Sequence, residues 1–146
     1  MSTEENKVVV RHLLQAIWDG DLDALDPHPG LQDMRRMLPI VRAAFPDFGG
    51  TVERQIAEGD TVATHARCHG THQGVFMGIA PTGRRVSFQS VSLDRVVDGK
   101  VVQRNSELGW LDVLLQLGVL PLDAQAVMQR QFPHIPVGTV TSGSTP

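Results

Sequence analysis

The sequence holds one cysteine, Cys68. An internal disulfide is therefore excluded, and a lone thiol suits a reducing compartment. No apolar run approaches the ~20 residues that a bilayer-spanning helix needs, and the N-terminus lacks the basic and apolar regions of a leader. A cytoplasmic setting is the expectation. Neither sign of charge dominates: 13 Lys and Arg stand against 16 Asp and Glu, for a net charge of −3. The basic residues are scattered, so the electrostatic footprint of a nucleic-acid or anionic-membrane binder is missing. No internal repeat is visible. These exclusions leave a small molecule and a second copy of the chain as partners, and a homodimer is expected.

What is present suits one domain. A chain of 146 residues, 41% of them apolar, is long enough to bury a core. Ser2 and Glu5 have the spacing of a capping box, and Val10, Leu13, Leu14 and Ile17 follow at helical intervals up to Gly20. "DLDAL" offers one helical turn with Asp21 as its cap. Residues 31–45 repeat the helical pattern, with Pro39 predicting a kink or a break and Pro46 a stop. After Gly49 the period changes to two. "TVERQIAEG" and "TVATHARCHG" read as strands joined at "EGD", and "RRVSFQSVSLDRVV" and "VVQRNSELGW" as strands joined at "DGK". "LDVLLQLGVLPL" reads as an apolar continuation with a turn of helix, and Asp123 as the cap of a last helix. Helices first and antiparallel strands afterwards predict an α+β domain over residues 1–131, with residues 132–146 as a mobile tail.

Five stretches carry a resemblance. "GTHQGVFMGIAPTGRRVSF" from Gly70, then "RVVDGKVV" and "LLQLG", together with "ENKVVVRHLLQAIWDGDLDALD" and "VRAAFPD" near the start, resemble the SnoaL-like polyketide (ester) cyclases of the nuclear-transport-factor-2-like (NTF2-like) superfamily. The resemblance covers roughly residues 5–120. It implies a cone in which helices pack into a curved antiparallel sheet and enclose an apolar pocket. It also implies a pocket carboxylate that works as general acid and base in an aldol closure, without metal or organic cofactor. Such chemistry needs a base within hydrogen-bond reach of the carbon acid, and donors aimed at the enolate oxygen.

The chain departs from that family's pattern at the site. Where the family reads E-H-W-x-x-x-D, this sequence has "QRNSELG", so Gly109 occupies the aspartate position and Asn105 the aromatic one. On the preceding strand, polar partners of that aspartate match Leu93 and Arg95, and Leu93 has no polar group. "ALDPHPGLQDM" is shorter than the usual connection, with His28 in place of part of it. Residues 105, 107 and 109 share a strand face. The family's geometry would turn that face inward, so Glu107 is expected to act as relocated acid and base, with Asn105 and Arg95 holding oxygens. Gln89, Val91 and Leu93 share the parity of Arg95 and are expected to line the pocket, joined by His72, Phe76 and Trp18.

Other groups invite chemistry that their placement argues against. His65 and His69 have no carboxylate at ligand spacing, so a polar outer face or a dimer surface is preferred to a metal site. Cys68 and His69, as strand neighbours, point apart. The glycines of "GVFMGIAPTG" lack the strand-to-helix context of a phosphate loop. Trp110 is expected to pack or to meet another subunit. Two functions stay in view: a cofactor-free enzyme that cyclises, isomerises or opens an apolar oxygenated polyketide-like molecule, and a non-catalytic small-molecule-binding or accessory protein that has lost the aspartate.

Overall fold

A computed structural model describes residues 1–120. The last helix and the tail expected beyond them lie outside the described residues. Helix α1 (Thr3–Asp19) opens with the capping box: Glu5 N donates to Ser2 Oγ at 3.1 Å, and Ser2 N to Glu5 Oε2 at 2.8 Å. It ends at Gly20, whose φ of 74° is the left-handed cap. A 3₁₀ turn at Asp23–Leu25 follows, where Asp21 Oδ1 accepts from Ala24 N. A second turn, Pro29–Leu31, leads into α2 (Gln32–Ala44). Pro39 lies inside α2, which continues through it, so the predicted break does not occur.

Four strands make one antiparallel sheet in chain order: β1 (Gly49–Glu58), β2 (Thr61–Thr71), β3 (Arg85–Val97) and β4 (Lys100–Leu108). A short helix, α3 (Trp110–Gln116), closes the end of β4. The concave face buries Val62, Ala66, Cys68, Val86, Phe88, Val96 and Val101 against Val10, Leu13, Leu14 and Ile17 of α1 and Leu38, Val41 and Ala44 of α2. Side chains of one parity are removed from water together, which fixes the register of each strand.

Two bulges alter that parity. One separates Val52 from Arg54; the other follows from the pairing of Arg95 with Gln103 but Val96 with Val101, which leaves Val102 extra on β4. The beginning of β4 is covered along its free edge. Gly30 sits so close that a Cβ there would lie 2.6 Å from Gln103 N, and His28 Nδ1 accepts from Val101 N at 3.0 Å.

Burial, and secondarily Lys100, lowers the His28 pKa from the ordinary 6.5. The neutral ring is the form that accepts from Val101. Its contribution to stability is therefore complete above the unfolded-state pKa and is lost as pH falls through the lower folded value. Urea unfolding should show the midpoint falling from about pH 7 to about pH 5, and His28→Asn, which keeps an acceptor but cannot titrate there, should flatten that fall.

Candidate functional site

The bulge at Val102 decides what faces the helices. Val101 is buried, but beyond the extra residue the parity inverts. Arg104, Ser106 and Leu108 turn to the concave side, while Gln103, Asn105 and Glu107 turn outward. On β3 the buried residues are Val86, Phe88, Ser90, Ser92, Asp94 and Val96, and the exposed ones include Gln89, Val91, Leu93 and Arg95. The expected inward face is thus the outer face. Glu107, Asn105 and Arg95 are solvent-exposed, and Arg95 pairs with Asp60 at 2.8 Å instead of with a buried glutamate. Gln89 holds His65 Nε2 at 2.8 Å on the same outer surface.

A narrow cleft opens between α1, α2 and the last two strands, with a cavity volume of about 30 Å3. Its apolar walls include Ile17, Trp18, Met34, Met37, Phe48 and Trp110, and its polar groups are Ser90, Ser106, Arg104 and Cys68. Trp18 stands in this wall. It can do so because Gly50 lacks a side chain: a Cβ there would come within 2.5 Å of the indole. An outer groove continues the cleft past Met34 and Met37 to Gly30 and Asp33, with Asn105 and Glu107 at its margin.

Among the described residues, the charge inside comes from one ion pair. Asp94 is fully buried and the Arg104 side chain is 6% exposed, with Arg104 Nη1 donating to Asp94 Oδ1 at 2.8 Å and to Oδ2 at 2.9 Å. Ser92 Oγ donates to Asp94 Oδ2 at 2.9 Å. Burial pushes the Asp94 pKa up, against the opposing pull of Arg104 and Ser92. Arg104 Nε is buried with no partner among the described residues. A guanidinium held on one side by a carboxylate and free on another is a donor awaiting an acceptor. Cys68 is a thiol rather than a thiolate, pushed up to about 11 by burial, with Trp18 and Arg104 pulling the other way.

His72 and Phe76 belong to the loop beneath α3 and not to the cleft wall. His72 is wholly buried; its Nδ1 accepts from Thr82 N at 3.1 Å and lies 3.0 Å from Thr82 Oγ1. Its ring lies 5.5 Å from that of Phe45, and Phe76 packs on Phe45 and Trp110 at 5.2 and 5.3 Å. Sequence reasoning missed Asp94 and Arg104. The available signal was the run Ser90, Ser92, Asp94 on one parity, facing Arg104 across the hairpin, and only the bulge aligns those partners. Among the described residues no group of three or more His, Cys, Asp or Glu could hold a metal ion, and no helix is long and apolar enough to cross a membrane.

The family model of the SnoaL-like polyketide cyclases matches residues 3–117. The chain belongs to the SnoaL-like polyketide cyclase family. It is 34% identical over 92 residues to the nogalonic acid methyl ester cyclase of Streptomyces nogalater, a match covering 62% of this chain and 69% of that protein. AclR of Streptomyces galilaeus, a candidate hydroxylase, superposes with a TM-score of 0.75 at 33% identity over 82% of this chain and 100% of its own. TsrD of Streptomyces laurentii does so with 0.73 at 26% identity, covering 82% and 99%. The architecture is the SnoaL-like, NTF2-like one: helices on the concave side of an open antiparallel sheet. Within this SnoaL-like frame Arg104 lines the cleft and Asp94 pairs with it from β3.

The pair makes a thermodynamic prediction. Removing one partner strands a buried charge, so Asp94→Ala should lower the unfolding free energy by about 3–5 kcal/mol. The double replacement Asp94→Leu/Arg104→Met, which removes both charges, should recover most of that loss in urea denaturation.

Proposed function

We propose that this SnoaL-like protein is an enzyme that promotes cyclisation of an apolar, oxygenated polyketide-type molecule by holding a developing enolate oxygen on Arg104. The observation that carries this reading is the Nε of a buried guanidinium, without a partner among the described residues, in the wall of a mostly apolar cleft. The methylene between two carbonyls of a polyketide is already a weak carbon acid. Holding the enolate oxygen lowers the pKa of that carbon acid, so solvent water at the open mouth of the cleft can take its proton and later return one to the product. A preorganised charged donor is worth about 10²–10³ in rate. The enolate carbon then attacks a second carbonyl of the same molecule; the carbon–carbon bond forms as that carbonyl becomes an alkoxide and takes up a proton. Asp94 positions Arg104 and neutralises its charge in the empty site, while Ser90 and Ser106 supply further donors along the cleft. Arg104 thereby takes the oxygen-holding part expected of Asn105 and Arg95. Glu107 has no part in it.

The relative's cyclase activity supports ring closure over ring opening, and the apolar walls support a polyketide-like ligand. Both tryptophans of the chain line the cleft, so binding can be followed by quenching of their emission. Nogalonic acid methyl ester serves as the probe. Arg104→Met should bind it within a few-fold of wild type but lose about 10²–10³ in turnover, and Glu107→Gln should leave turnover unchanged. Full turnover without the guanidinium would refute the mechanism. A probe that binds wild type but is never converted would point to the binding-protein alternative.

A further inference from the structure

Six large apolar side chains stand in the open on α2, α3 and the loop that joins β2 to β3. They are Met37 and Ile40 on α2, Val75 and Met77 in the loop, Leu111 on α3 and Val119 just beyond it. Hydrogen bonds and ring contacts tie these pieces together. Gln73 N and Gly74 N both donate to Ala44 O, at 2.9 and 3.1 Å, at the end of α2. Gly74 lies so close to that helix that a Cβ would come within 2.1 Å of Ala43 O. Phe76 packs on Trp110, the neighbour of Leu111, with ring centroids 5.3 Å apart. The loop therefore carries an apolar strip from α2 to α3. Met37 and Trp110 also line the open groove of about 450 Å3 into which the cleft leads, so the strip borders its mouth. Contiguous apolar surface of this kind marks a place where something packs.

The chain itself arrives beside this strip. Helix α3 ends in a Schellman turn: Gly118 N donates to Leu115 O at 3.1 Å and Val119 N to Leu114 O at 3.2 Å, with a φ of 74° at Gly118. The turn takes the backbone off the axis of a helix only about 10 Å long, so Leu120 stays close to Leu111. Residues 121–146 follow, beyond the 3–117 that the family shares. Among them Ala124, Val127, Met128 and Phe132 recur at i, i+3, i+4 and i+8, between Asp123, which suits a cap, and Pro133, which suits a stop. A helix with that stripe needs an apolar surface to lie on. Ten residues of it would be about 15 Å long, half as long again as α3, which is enough to run back along α3 toward the groove.

We infer that residues 123–132 of this chain dock as an amphipathic helix on the strip formed by α2, the β2–β3 loop and α3, and so close the mouth of the cleft. Docking depends on the outline of the cleft and not on the chemistry assigned to it, and its test needs no substrate. In hydrogen exchange of the full chain, the amides of residues 124–132 should exchange about a hundredfold more slowly than an unfolded peptide. The protection should be the same at about tenfold lower protein concentration. Ile40→Lys, at a position already 65% exposed, should return those amides to the unfolded rate while β1–β4 keep their protection. Met128→Lys, on the other side of the contact, should do the same. Both tryptophans line the cleft, so acrylamide should quench their emission about twofold more strongly in either variant. Unfolded-rate exchange of residues 124–132 in wild type overturns the inference, and so does protection that survives Ile40→Lys, which would place the segment elsewhere. Protection that falls on dilution would assign the strip to a second copy, and unchanged quenching would leave the mouth open; each of these also overturns it.

Discussion

A carboxylate sealed from water must be answered by a cation or give up its charge, and in this protein the cation comes from the neighbouring strand. Asp94 lies at 0% exposure on β3 and Arg104 reaches it from β4, with Ser92 filling a remaining lone pair. The hairpin register that permits this is the bulged one. With Val102 extruded, Arg104 falls opposite Asp94; without it, the arginine would lie on the far side of the sheet and the carboxylate would be stranded. The bulge, the pair and the polar floor of the cleft are thus one arrangement, and the assignment of faces along β4 follows from it.

The same inversion sets the character of the two surfaces. Because Ser90, Ser92, Asp94 and Arg104 occupy the concave side, the apolar positions of β3 fall on the convex side, which buries them only against another body. The concave side keeps its apolar contribution from the helices: Trp18 seated on Gly50, and Met34 and Met37 on α2. Unbranched methionines adapt to ligands of differing outline. Relatives of comparable identity include a cyclase and a candidate hydroxylase, so the scaffold leaves the reaction to such local choices.

Much of the fold was legible because its signals are local. The capping box at Ser2, the stop at Gly20, the turns at Gly59 and Gly99 and the alternation within β2 each need only a few neighbouring residues. The inward set Thr64, Ala66 and Cys68 follows from alternation, and their partners across the sheet are as buried as they are. The site was less legible. On β3 both parities mix polar and apolar residues, so alternation has no sign, and reading the face from the positions of Leu93 and Arg95 chose the outer one. His72 and Phe76 carried the family signature yet serve to fasten a loop, since Thr82 and Phe45 meet them from elsewhere in the chain.

By itself the sequence determined the elements, their order, the antiparallel hairpins and the family, since each is written in spacing and turn chemistry. Only the tertiary structure decided which side of the last hairpin faces the helices. A strand's alternation defines two faces without saying which is inside, and one extra residue exchanges them. That exchange depends on whether Asp94 finds Arg104, a contact between strands that no single stretch of the chain contains.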